Sequence, residues 1–111
     1  MEGSDQSEIY KELSPIKGER VIKKRRYSAF YQTDLELILR GLKTTNLIIT
    51  GVMSNLCCET TARDAFMRDF RVFFIADGNC SATEEMHLST LKNLAFGFAH
   101  VLTAEDMIKL L

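Results

Sequence analysis

Residues 47–66, LIITGVMSNLCCETTARDAF, restrict the fold more than any other stretch. Leu47, Ile48 and Ile49 form a short apolar run, which predicts a buried strand. Gly51 punctuates the run, a short loop comes next, and a helix is expected to open at the adjacent Cys57 and Cys58. A thiol just inside a helix N-terminus lies where free N–H groups and the helix dipole favour the thiolate. To do chemistry, such a thiol needs a positive neighbour, a base, and N–H donors for an oxyanion.

The alternation of strand and helix extends along the chain. Residues 1–20 read as a partly irregular segment: residues 8–13 suit one or two helical turns, Ser14-Pro15 breaks them, and Lys17-Gly18 suits a turn. From residue 21 to residue 111 the pattern is that of one domain. Val21 and Ile22 predict a short strand running into the basic run Lys23, Lys24, Arg25, Arg26. Thr33 and Glu36 make a capping box, and Leu35, Ile38, Leu39 and Leu42 then share one helix face, with Gly41 near its end. Strands are expected over 46–50, 71–76 and 100–102, the second closed by Asp77-Gly78. Helices are expected over 55–69, behind a Ser81/Glu84 box, and from Thr103 to the end; the stripe of the second holds His87, Leu91, Leu94, Ala95 and Phe98. The order β-α-β-α-β-α-β-α predicts an α/β protein with a mostly parallel, Rossmann-like sheet covered on both faces, a three-layer αβα arrangement. In such sheets, ligands bind beyond the carboxyl ends of the strands.

Helical spacing separates the two adjacent thiols. Cys58, Ala62, Ala65 and Phe66 fall on one stripe, which makes Cys58 a small core residue. Cys57 lies about 100° away and faces the loop, where an activated thiol and an inert one are equally compatible with its position. Cys80, in a loop before a helix, reads as inert. Lys24 ends the first expected strand on the ligand side, and a lysine beside a thiol favours the thiolate; by composition alone the run 23–26 reads more readily as a solvated basic face or a phosphate-binding patch. Neither histidine stands out as a base: His87 lies on an apolar stripe, and His100 opens a strand at the wrong end of the sheet. Asp64 suits a structural ion pair and Asp77 a turn.

Three cysteines is an odd count, which favours reduced thiols in an intracellular, cytoplasmic protein over a disulfide framework. With the two histidines they give no zinc-ligand spacing, so no metal and no cofactor is expected. The net charge of −1 and the lack of a long apolar run argue against nucleic-acid and membrane partners.

Three stretches together resemble the isochorismatase-like cysteine hydrolases, a superfamily that includes nicotinamidases and N-carbamoylsarcosine amidases. They are ITGVMSNLCCETTARDAF, VIKKRRYSAFYQTDLELILRG and ADGNCSATEEMHLSTLKNLAFGFAHVLTAEDM. The resemblance covers residue 9 to the C-terminus. It implies that Cys57 is the nucleophile and Lys24 the catalytic lysine. It also implies a cis peptide joining Val52 and Met53, and an oxyanion hole formed by the N–H groups of Met53 and Cys57. The implied reaction is hydrolysis of a C–N bond in a small amide through a thioester, since the branches acting on isochorismate lack the cysteine. Tyr27 and Phe30, just after the lysine, suit a pocket wall or an interface as well as packing.

The chain departs from the family pattern at its front. The family's first strand ends in a D-x-Q-x-D-F type motif whose first aspartate is the general base, and no such motif precedes Lys24 here. In the 3-2-1-4-5-6 sheet order that first strand is central. An unfilled gap would leave backbone groups unpaired, so the expectation is a chain that is poorly stable alone, or that forms a homo-oligomer or pairs with a homologous chain. An inactive, truncated family member acting only by such association is the alternative to an active enzyme.

Overall fold

The computed structural model describes residues 11–111. The expected helical turns over 8–13 fall partly outside these residues; a single 3-10 turn, Lys11–Leu13, lies within them. Beyond it lie α1 (Leu35–Gly41), β1 (Asn46–Val52), a π-helical turn (Ser54–Cys58), α2 (Glu59–Met67), β2 (Arg71–Cys80), α3 (Glu84–Gly97), β3 (His100–Leu102) and α4 (Ala104–Leu110). The strands form one parallel sheet in the order β1-β2-β3. Ile49 pairs with Phe74, and Phe74 pairs with Val101.

Both connections between parallel neighbours are made by helices, as parallel strands require. The core lies where α2 and α3 pack on one sheet face. Val72 and Phe74 of β2 are buried there with Cys58, Ala62 and Ala65, Leu94, Phe70 and Phe30. Ile75 points the other way, by the alternation of a strand, and α4 packs against β2 with Met107 buried. Helix, sheet and helix are therefore the three expected layers. No helix among the described residues is long and apolar enough to cross a membrane.

Helix ends are set by residues other than those the sequence suggested. Gly41 is the last residue of α1, but Lys43 takes the left-handed conformation (φ 59°), and Thr44 N–H donates to Leu39 O at 3.0 Å. Asp69 (φ 69°) ends α2 in the same way, and Phe70 N–H donates to Ala65 O at 3.0 Å, turning the Phe70 ring into the core. Thr83, not Ser81, caps α3, its hydroxyl accepting from Met86 N–H at 3.1 Å. Thr33 precedes the N-cap of α1, which is Asp34 without a side-chain cap bond. Leu42 and Ala95 are exposed and leave their expected stripes; Leu35, Leu39, Leu91 and Phe98 pack on the core.

Two further differences concern the strands. Residues 21–24 form no strand. A strand exists by pairing, and Val21 and Ile22 pair with neither edge strand of the described sheet, β1 or β3. β2 also continues past Asp77-Gly78 through a bulge in which residues 75–78 stand opposite Thr50 alone. Gly78 is required there, because a Cβ would lie 2.9 Å from Ile75 Cγ2 and 3.1 Å from Thr50 Cγ2. Asn79 closes the bulge: its Nδ2 donates to Ile75 O at 2.7 Å and to Ile49 O at 3.1 Å, one carbonyl on each strand.

Candidate active site

The cysteines do not open the α-helix directly. They close the π-helical turn that joins β1 to α2, in which the N–H groups of Leu56 and Cys58 both donate to Met53 O, at 3.1 and 3.2 Å. The turn enters from Gly51 (φ 132°), a conformation only glycine adopts readily, and the Val52–Met53 peptide is cis. Cys58 is buried, together with Ala62 and Ala65 of the stripe, whereas Phe66 is half out in solvent, edge-on to Phe98 at 5.3 Å. Cys57 is half-buried and Cys80 exposed; all three thiols are free.

Lys24 reaches Cys57 from a segment without regular structure. Its Nζ lies 3.5 Å from Cys57 Sγ and donates to Arg26 O at 3.2 Å. Residues just after the lysine anchor the segment. Ser28 is buried, Ala29 N–H donates to Thr61 Oγ1 on α2 at 3.0 Å, and Phe30 is inserted into the core against Phe70. Phe30 is 6% exposed, so it packs and does not wall a pocket. Tyr27 is exposed and lines, with Lys24, Arg25 and Arg26, an open cavity of about 400 Å³. Lys24 is common to this cavity and to the thiol contact.

Asp64, Asp77 and His87 have structural partners. Asp64 pairs with Arg68 at 3.5 Å, and Arg68 with Glu36 of α1 at 3.0 Å. Asp77 Oδ1 accepts from Ala104 N–H at 2.8 Å and so holds the start of α4. His100 stacks on Phe73 at the amino end of β3. His87 has two polar partners: its Nδ1 lies 2.6 Å from Ser54 Oγ and its Nε2 3.0 Å from Ala76 O. No local spacing in the sequence joins His87 to Ser54, which are 33 residues apart. No cluster of three or more His, Cys, Asp or Glu side chains able to hold a metal ion occurs among the described residues.

Burial pushes the Cys58 thiol up from 9.0 to about 11; Cys57 adds to the rise and Lys24 opposes it. The folded chain therefore keeps this proton over a range in which the unfolded chain loses it, so stability falls as pH rises from about 9 toward 11. Urea unfolding at pH 8 and at pH 10.5 is expected to differ by about 2 kcal/mol from this group. In Cys58→Ala that pH-dependent loss should disappear; an unchanged alkaline slope would assign it to other groups.

A thiol and a lysine brought together after the carboxyl end of a parallel strand, within a three-layer αβα frame, define an isochorismatase-like architecture. The chain belongs to the isochorismatase family, a family of hydrolases, its residues 1–106 matching the isochorismatase domain. It is 43% identical over 109 residues to nicotinamidase 3 of Arabidopsis thaliana, covering 96% of this chain and 55% of that protein. It is 38% identical over 104 residues to enterobactin synthase component B of Escherichia coli K12, covering 94% and 36%. An isochorismatase-like hydrolase from Alkaliphilus metalliredigens superposes with a TM-score of 0.93 at 37% identity, over 96% of this chain and 59% of that one. The chain thus spans about a third to just over half the length of these relatives.

Proposed function

We propose that residues 21–111 form the C-terminal part of a cysteine hydrolase domain that cleaves the C–N bond of a small amide. The observation that carries this reading is the 3.5 Å approach of Lys24 Nζ to Cys57 Sγ. An ammonium beside the sulfur stabilises the thiolate. The thiolate attacks the amide carbonyl, and the negative oxygen is received by the N–H groups of Met53 and Cys57. Collapse breaks the C–N bond, and the leaving nitrogen departs as ammonia or an amine after gaining a proton. Water then cleaves the thioester, releasing the acid and restoring the thiol. We assign the base that moves these protons to a carboxylate from outside residues 11–111, in the same polypeptide or a partner chain. The amide substrate accords with the nicotinamidase relative, and three free thiols accord with a reducing compartment such as the cytoplasm.

The test is ammonia release from a panel of small amides, run beside thiol labelling. Cys57 is expected to be alkylated faster at pH 7 than the exposed Cys80, and its blocking to end turnover. Full turnover after Cys57 is blocked would remove the proposal.

A second reading is supported by the edge of the sheet. β1 pairs on one side only among the described strands, and its Ile48 and Val52 are 47% and 62% exposed. An unpaired strand edge is a template for pairing with another chain. In this reading the chain is catalytically inactive and acts by pairing with a homologous chain. Sedimentation at rising concentration is expected to show a monomer–dimer equilibrium that Ile48→Lys shifts to monomer; a monomer at every concentration contradicts it.

A further inference from the structure

We propose that His87 is a positioning residue for the cysteine chemistry, acting through Ser54; this rests on the cysteine-hydrolase reading of the site. Its two contacts fix the tautomer of the neutral ring. Ala76 O can only accept, so His87 Nε2 carries the hydrogen and donates to it at 3.0 Å. In the neutral ring Nδ1 is then an acceptor, and the Ser54 hydroxyl donates to it at 2.6 Å. Ser54 is 0% exposed, so no solvent competes for that hydroxyl. A buried hydroxyl with one fixed acceptor costs free energy when the acceptor is removed.

The ring joins three elements. Ser54 opens the π-helical turn, directly after Met53 and three residues before Cys57. Ala76 lies in the bulge of β2, and His87 lies in the first turn of α3, its own N–H donating to Thr83 O at 3.1 Å. The turn is short and cross-bonded through Met53 O, so a displacement of Ser54 is passed on to Met53 and Cys57. Those two residues carry the proposed oxyanion donors, and Cys57 also carries the sulfur that Lys24 approaches. α3 makes another polar contact nearby, Thr90 Oγ1 donating to Glu59 Oε1 at 2.8 Å, which holds α2 and not the turn. That contact is the natural control.

The experiment measures iodoacetamide alkylation of Cys57 by peptide mass mapping, with Cys80 as the internal reference, so no turnover is needed. His87→Ala and Ser54→Ala are each expected to slow Cys57 by roughly tenfold relative to Cys80, the scale of a small misplacement of reacting groups. The double variant should be no slower than the slower single one. His87→Gln, which keeps a donor and an acceptor, should recover most of the rate. Thr90→Val should lower the unfolding temperature and leave the Cys57 to Cys80 ratio unchanged. Folded Ser54→Ala and His87 variants with the parent ratio would overturn the proposal, as would single effects that multiply in the double variant. If His87→Ala does not fold, Ser54→Ala and His87→Gln decide. A parent chain in which Cys57 reacts no faster than Cys80 is a different result: it removes the cysteine-hydrolase reading and this inference with it.

Discussion

Cys57→Ala is expected to lower amide hydrolysis by roughly 10⁴-fold or more, the scale seen when a covalent nucleophile is removed. The proposed reaction divides one difficult displacement into two acyl transfers at sulfur, and without the sulfur only direct attack by water remains. Cys58, the adjacent thiol, offers no rescue. It is buried in the core between helix and sheet, and burial holds its proton. Lys24→Ala is expected to cost less, roughly tenfold to a hundredfold, because it removes the stabilising charge and leaves the sulfur in place. Lys24 is exposed, so its contribution should also shrink as salt is raised. Single-turnover ammonia release from the amide that the parent chain cleaves best measures both. A Cys57→Ala variant within tenfold of the parent would show that the chemistry does not pass through this residue.

Phe74→Ala is expected to cost about 3–5 kcal/mol, a large share of the about 5–15 kcal/mol that holds a domain folded. Phe74 is 0% exposed at the centre of the sheet, paired with Ile49 on one side and Val101 on the other. Its loss leaves a cavity bounded by α2, α3 and both neighbouring strands, none of which can collapse without disturbing the ladder. Phe96→Ala is the matched control. That ring is 95% exposed, and its removal should change stability by about 0.5 kcal/mol or less. Urea denaturation of the two variants separates them; equal losses would contradict this placement of the core.

Where the sequence served well, the information was local and periodic. Strand and helix periods placed β1, β2 and β3, and helical spacing assigned Cys58, Ala62 and Ala65 to the interior. The same spacing carried Phe66 inward, yet that ring sits at the margin of α2, edge-on to Phe98. Where it served poorly, the deciding partner was distant. Val21 and Ile22 have strand composition but pair with no described strand. Phe30 suits a pocket wall by its place after the lysine, but its destination, Phe70, lies on the far side of α1, β1 and α2 in the chain. Asp77 carries a turn signal, while its bond to Ala104 N–H spans 27 residues. His87 is legible as a satisfied histidine, but neither its donor partner nor its acceptor partner is.

The bulge in β2 carries a consequence for the ageing of the molecule. One amide, on Asn79, ties the carbonyls of Ile49 and Ile75 together across the strand pair, and its oxygen is buried with no hydrogen-bond partner among the described residues. Deamidation replaces that NH₂ with a carboxylate oxygen, so two carbonyls that were clasped would face a negative charge in a dry setting. The lesion adds a single unit of mass, yet it falls where β1 ends and the cysteine turn begins. Asn79→Asp, which puts that oxygen in place directly, is therefore expected to loosen the junction between β1 and the cysteine turn.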